Sequence, residues 1–229
     1  MKNGVFSSYH PASTATSVQN IKAGMMDERW LYFVTLAHQN KKKAFEEYMN
    51  YCESLSGQTN WSDVWQRSTY IDDYHRIVDQ RTASRTHATE VLSELYIPHN
   101  NLVPFFDDVR KDFLADEINL MYTTVRFIEK DDQSFLPWAR EPYCCVIFNL
   151  HTVHTRREIN RSADAFRKLI DHAIKYNGSY YLTYHRFAKK EQVLACYPQF
   201  PKFLKKKLEY DPEEKFVSNW YWHYKKMLG

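Results

Sequence analysis

The sequence predicts an α+β fold, an antiparallel sheet with helices packed on one of its faces, and three observations predict it. Short runs rich in β-branched and aromatic residues recur along the chain with turn residues between them. One long segment carries an apolar stripe at helical spacing. Strand-like and helix-like segments alternate over most of the length, and the pattern lacks the regular β-α repetition of a parallel sheet.

Residues 1–26 are polar, Ser/Thr-rich and without a period, and they read as a linker arriving from another domain. Trp30 to His38, with its Trp-Leu-Tyr-Phe-Val-Thr-Leu run, reads as a strand. A helix is predicted from Lys41 to Leu55: Asn40 can cap it, Ala44, Phe45, Tyr48, Cys52 and Leu55 fall on one face, and Gly57 lies beyond its end. Gln58 to Ala88 is charged and weakly patterned, despite Trp61, Trp65 and Tyr74, and reads as an insertion of mixed structure.

A strand is predicted from Thr89 to Ile97, stopped by Pro98, and then a helix from Leu102 to Leu114 with Asn101 as cap and Pro104 tolerated in its first turn. Strands follow at Ile118 to Ile128 and Cys144 to Val153, joined by a loop with Asp131, Asp132 and Pro137. The helix from Ile159 to Tyr176 has the clearest pattern, with Ala163, Phe166, Leu169, Ile170, Ala173 and Ile174 in one stripe and Gly178 closing it. Ser179 to Tyr184 reads as the last strand. The order fits a ferredoxin-like, split β-α-β domain over 27–186, and the basic, aromatic remainder, 187–229, reads as a helical tail.

With 229 residues the chain can bury one sizeable core. Its 16% aromatic residues exceed what that core needs and point to a large interface or an aromatic-lined pocket. A net charge of +3, spread along the chain, gives no basic face for nucleic acid. The 4 cysteines, at Cys52, Cys144, Cys145 and Cys196, match neither a zinc spacing nor a disulfide framework, so they read as buried thiols in a reducing compartment. No stretch approaches the ~20 apolar residues of a membrane span, and no leader pattern is evident, so a cytoplasmic protein is expected.

Alternation in the 144–153 strand sends Phe148 and Leu150 one way and Asn149 and His151 the other. If helices cover the apolar side, Asn149 and His151 stand on the open face, where a ligand could lie. Glu94 sits mid-strand between Ser93 and Leu95, and Arg126 between Val125 and Phe127, and each demands solvent, a partner charge or a ligand; a cross-strand salt bridge between them is one solution and a binding site the other. In the run Tyr180 to Arg186, Tyr184 and Arg186 share one side, and Tyr181, Thr183 and His185 the other. His185 is a candidate base or a structural histidine. A metal hydrolase built on His151, His154 and His185 is disfavoured because the first two diverge on a strand, so no metal is expected.

Gly-Ser-Tyr-Tyr-Leu-Thr-Tyr-His-Arg-Phe (178–187), Cys-Tyr-Pro-Gln-Phe-Pro-Lys-Phe (196–203) and Glu-Tyr-Asp-Pro-Glu-Glu-Lys-Phe (209–216) resemble the C-terminal part of FAD-linked oxidases of the vanillyl-alcohol oxidase superfamily, in the sugar-lactone and alditol oxidase branch. Gly4 to Tyr9 and the segment from Trp138 into the Asn149 strand are similar to the same half. The resemblance implies a cap domain whose open sheet face forms the substrate wall over the flavin ring. It implies substrate contacts by Glu94, Arg126, Asn149 and Tyr184, a catalytic base at His151 or His185, and flavin contacts by Arg186, Lys189, Ser218 and Asn219.

Two departures stand out. The arginine expected two residues after Glu94 is Tyr96, and the branch's His-Trp-Gly-Lys motif is not preserved near Tyr181 to Tyr184. The family's FAD-pyrophosphate loop is absent too. The chain is therefore expected to need an FAD-binding domain, in cis or from an adjacent gene, to oxidise a small alcohol or lactone, and to self-associate through the exposed docking face when alone. The competing expectation is a binding or regulatory module that keeps the fold without redox chemistry.

Overall fold

Four segments rich in β-branched and aromatic residues pair into one antiparallel sheet: β1 (Ala88–Pro98), β2 (Leu120–Ile128), β3 (Tyr143–Val153) and β4 (Ser179–Tyr180), in the order β2-β3-β1-β4. This is a mixed α+β architecture, with eight α-helices among the described residues. The computed structural model describes residues 3–18, 27–61 and 71–229. Parts of the expected linker (1–2 and 19–26) and the middle of the expected insertion (62–70), with Trp65, lie outside the described residues. The chain divides into two compact units, 1–88 and 89–229, a boundary that falls within the 27–186 span.

The first unit holds α1 (Asp27–Gln39), α2 (Lys41–Ser54) and α3 (Tyr74–Thr82). The strand expected at Trp30 to His38 is instead part of α1. Its aromatic run fits a helix because Leu31, Thr35 and Leu36 fall on one buried side, while Phe33 meets Tyr48 and Tyr51 of α2 at ring distances of 5.7 and 5.9 Å. β-propensity measures fit to a half-buried pleated surface, and packing against a helix overrides it here. α2 forms as its sequence predicts, with Asn40 Oδ1 accepting from the Lys43 N–H at 3.0 Å.

In the second unit, α4 (Leu102–Ala115) and α5 (Arg156–Lys175) follow β1 and β3. α4 buries Phe105, Val109 and Phe113 at i, i+4 and i+8. α5 starts at Thr155, whose hydroxyl accepts from the Glu158 N–H, and buries Ala163, Phe166, Leu169, Ile170 and Ala173. Asn101 stands at the head of α4 without capping it; its side chain donates to the Tyr176 carbonyl at 3.0 Å and ties α4 to the end of α5. Gly178 is required where the chain turns into β4, since a Cβ there would lie 2.2 Å from the Tyr96 carbonyl oxygen.

The last strand is shorter than predicted. The Tyr181 N–H still donates to the Glu94 carbonyl of β1 at 2.9 Å, but beyond it the chain leaves the sheet: the Leu182 carbonyl accepts from the Trp220 indole at 2.9 Å and from the Tyr224 hydroxyl at 3.4 Å. Both donors come from α8 (Asn219–Leu228), which with α6 (Lys190–Cys196) and α7 (Phe200–Tyr210) forms the helical tail. Those helices bring Val193, Cys196, Tyr197, Phe200, Leu204, Tyr221 and Tyr224 into the same cluster as Phe105, Phe148 and Phe166. The tail is thus part of the unit's core. All four cysteines are buried, and none is in a disulfide among the described residues. Among the described residues no helix is long and apolar enough to cross a membrane.

Candidate functional site

The pleat of β3 sorts its residues as the alternation predicts. Cys144, Val146, Phe148 and Leu150 join the core shared with the helices. Tyr143 and Cys145 lie on the other face, with Ile147 against them. Register then fixes what β2 adds to that face: Tyr122, Thr124 and Arg126 stand opposite Asn149, Ile147 and Cys145. From β1 come Glu90, Glu94 and Tyr96, while Leu95 and Ile97 go to the core. Glu94, Arg126, Asn149 and His151 therefore share the face opposite α4 and α5.

Glu94 organises this face. Its Oε1 accepts from the Tyr96 hydroxyl at 2.6 Å and from the Cys145 thiol at 3.3 Å, and its Oε2 accepts from the Tyr184 hydroxyl at 3.1 Å. Tyr96 and Cys145 are buried, whereas Tyr184 is 38% exposed, so the carboxylate is fixed from below and reaches solvent beside Tyr184. Tyr181 stacks edge-on against Tyr184 at 4.9 Å and holds that ring in place. Burial, and then the Glu94 charge, push the Cys145 thiol and the Tyr184 phenol each up to about 12. Burial raises the Tyr96 phenol further, and its hydrogen bond to Glu94 adds to that. All three groups keep their protons at neutral pH and act as donors, so Cys145 is a ligand of the carboxylate and not a nucleophile.

The cross-strand salt bridge between Arg126 and Glu94 does not form. β3 lies between their strands, Arg126 is exposed, and it makes no ion pair with a described residue. Asn149, expected in the open, is 3% exposed, and its Oδ1 has no hydrogen-bond partner among the described residues. His151 Nδ1 lies 3.4 Å from Glu90 Oε1.

The two histidines singled out as bases are not brought together. His185 packs on the helical side, stacked on Phe187 at 5.3 Å and edge-on to Phe166 of α5 at 6.4 Å. Burial lowers its pKa, as a ring sandwiched between phenyl groups requires. The period-2 assignment of Tyr181, Thr183 and His185 to one side fails because these residues form a turn. His154 also diverges, with Nε2 2.5 Å from Thr89 Oγ1.

Three of the four residues expected near flavin converge at the start of α8. Arg186 Nη1 donates to the Asn219 carbonyl at 2.8 Å, and Ser218 Oγ accepts from the Tyr221 N–H at 3.3 Å as the helix cap. Lys189 stands apart at the head of α6, its N–H donating to Gln192 Oε1 at 2.9 Å.

Sequence reasoning missed Glu90, Tyr96 and Cys145. Glu90 and Tyr96 have the parity of Glu94 on one strand, a signal that could have found them. Cys145 shares the parity of Asn149 and His151 in its strand, but a thiol in an apolar run reads as core until the carboxylate beside it is placed. No protein-family model matches this chain, and no curated protein is significantly similar to it.

Proposed function

We propose that the second unit is the substrate wall of a flavin-linked oxidoreductase acting on a small polyhydroxylated alcohol or lactone, working with an FAD-binding domain in the same polypeptide or another. The observation that carries this reading is the Glu94 carboxylate, held by three protonated donors and reaching solvent beside Tyr184 on the face opposite α4 and α5. The β2-β3-β1-β4 order, with α4 and α5 as the crossovers, supports the ferredoxin-like form of the cap domain. The resemblance of 178–216 to the lactone and alditol oxidase branch supports the chemistry.

In this reading Glu94 Oε2 accepts a substrate hydroxyl and fixes the alcohol carbon, with Tyr184 as the adjustable donor beside it. His151, oriented by Glu90, takes the hydroxyl proton. The guanidinium of Arg186, unpaired with any described carboxylate and set at the N-terminus of α8, suits the electron-rich edge of a flavin. Bound FAD supplies the hydride acceptor. The exposed Tyr210, Phe216 and Trp222 of the tail supply apolar surface for docking or, in the isolated chain, for self-association.

The second reading, a binding module without redox chemistry, is favoured by one observation: His185, one of the two bases expected from the sequence, is packed against phenyl rings on the helical side. Anaerobic mixing of the chain, reconstituted with a flavin-binding domain, with six-carbon alditols and lactones tests both. Bleaching of the flavin absorbance, slowed about tenfold or more by Glu94→Gln, is expected for the oxidoreductase. Sugar binding without bleaching supports the module.

A further inference from the structure

We infer that the ligand of this face is a polyhydroxylated carboxylic acid of the aldonate type, its carboxylate on Arg126 and its hydroxyls toward Glu94. The inference rests on that face being the binding wall, and it narrows the ligand class by what the two charged groups can and cannot do.

Glu94 can only accept. An ionised carboxylate offers about four lone-pair sites. Three are used by Tyr96, Cys145 and Tyr184, two on Oε1 and one on Oε2. The remaining site, on Oε2 beside the exposed Tyr184 ring, takes a hydroxyl donor from a ligand. Arg126 can only donate. Its guanidinium is exposed and unpaired with any described carboxylate, and a planar fork of donors is matched best by two oxygens in one plane.

The spacing suits a short carbon chain between them. Arg126 is the register partner of Cys145, and the Cys145 thiol lies 3.3 Å from Glu94, so the three residues form one row across β2, β3 and β1. Strands two apart are separated by roughly 10 Å, and two side chains reaching inward leave the span of a few carbons.

Charge decides between ligands that fit this row. A neutral polyol satisfies Glu94 and leaves Arg126 without a partner. A phosphate ester answers Arg126 but brings close to two negative charges to a face that already carries Glu94 and Glu90. A carboxylate monoanion balances the guanidinium one for one.

Titration of the full chain with gluconate, with sorbitol, which has the same carbon chain without the carboxylate, and with glucose 6-phosphate tests the assignment. Gluconate is expected to bind about tenfold or more tighter than sorbitol, and Arg126→Gln to remove that difference without moving the melting temperature. Arg126→Lys, which keeps the charge but loses the fork, is expected to retain part of it. Equal affinities for gluconate and sorbitol, an unchanged preference in Arg126→Gln, tighter phosphate-ester binding, or no binding of any probe overturns the inference. Its failure is distinguishable from that of the oxidoreductase reading. Flavin bleaching by neutral polyols with no gluconate preference removes the ligand class alone, and Arg126-dependent gluconate binding without bleaching removes the oxidoreductase alone.

Discussion

The helix-covered face of the sheet and the opposite face are built by the same strands, yet different forces hold them. On the helical side Phe148 lies within 6.2 Å of the Phe105 and Phe106 rings and 5.7 Å of the Phe113 ring, and its burial is complete. Area removed from water and dense packing do the holding there. On the other side Tyr96 and Cys145 are nearly as buried, but they are oriented by one carboxylate. The difference teaches that burial alone does not mark a core. A buried residue whose polar atom is directed at a charged group across the strands belongs to a site as much as to the packing.

The comparison is sharpened most by Phe148→Ala. A full-size cavity among rings that cannot collapse is expected to cost about 3–5 kcal/mol in denaturant unfolding. A cost under about 1 kcal/mol would break the contrast by showing that the helical face is loosely packed.

Glu94→Leu is the matching change on the other face. It removes no core volume, but it strands the buried Tyr96 hydroxyl and the Cys145 thiol, and a loss of about 1–3 kcal/mol is expected. Adding Tyr96→Phe should then cost less than Tyr96→Phe does in the unaltered chain, because the donor no longer has an acceptor to lose. Strict additivity of the two changes would mean that the 2.6 Å hydrogen bond contributes nothing to the fold.

The smallest effect concerns pH. Burial holds the folded-state pKa of His185 below its ordinary 6.5, so as pH falls the unfolded chain takes the proton first. The stability contributed by the neutral ring is whole above pH 6.5 and is lost progressively below it. His185→Phe should flatten the fall of melting temperature between about pH 7 and 5, and His223, whose pKa burial and Arg186 also lower, should leave a residual slope. An identical slope in the variant would place His185 in water and reopen it as a candidate base.

Much of this architecture was legible beforehand. The period of two in β3, the stripe of α5 and the Asn40 cap are local patterns, and each formed where its residues direct. The strand expected at Trp30 to His38 became a helix for a different reason. Aromatic and β-branched residues suit either state, and the choice was made by Tyr48 and Tyr51, which lie on another element. The shortened β4 has the same kind of cause, since Trp220 and Tyr224, about forty residues downstream, take the Leu182 carbonyl that a longer strand would have used.

By itself the sequence determined the element types from β1 through α5 and the face to which Glu94, Arg126, Asn149 and His151 belong, because side-chain parity along a strand is a property of the backbone. Tertiary structure alone decided which of those residues meet. Strand order put Cys145 between Arg126 and Glu94 and kept the two charges apart. The turn after β4 swung Tyr184 onto the carboxylate, and the approach of α5 sent His185 into a stack of phenyl rings instead. Parity is local and needs no partner, whereas a hydrogen bond between residues ninety positions apart exists only once the chain has closed the sheet.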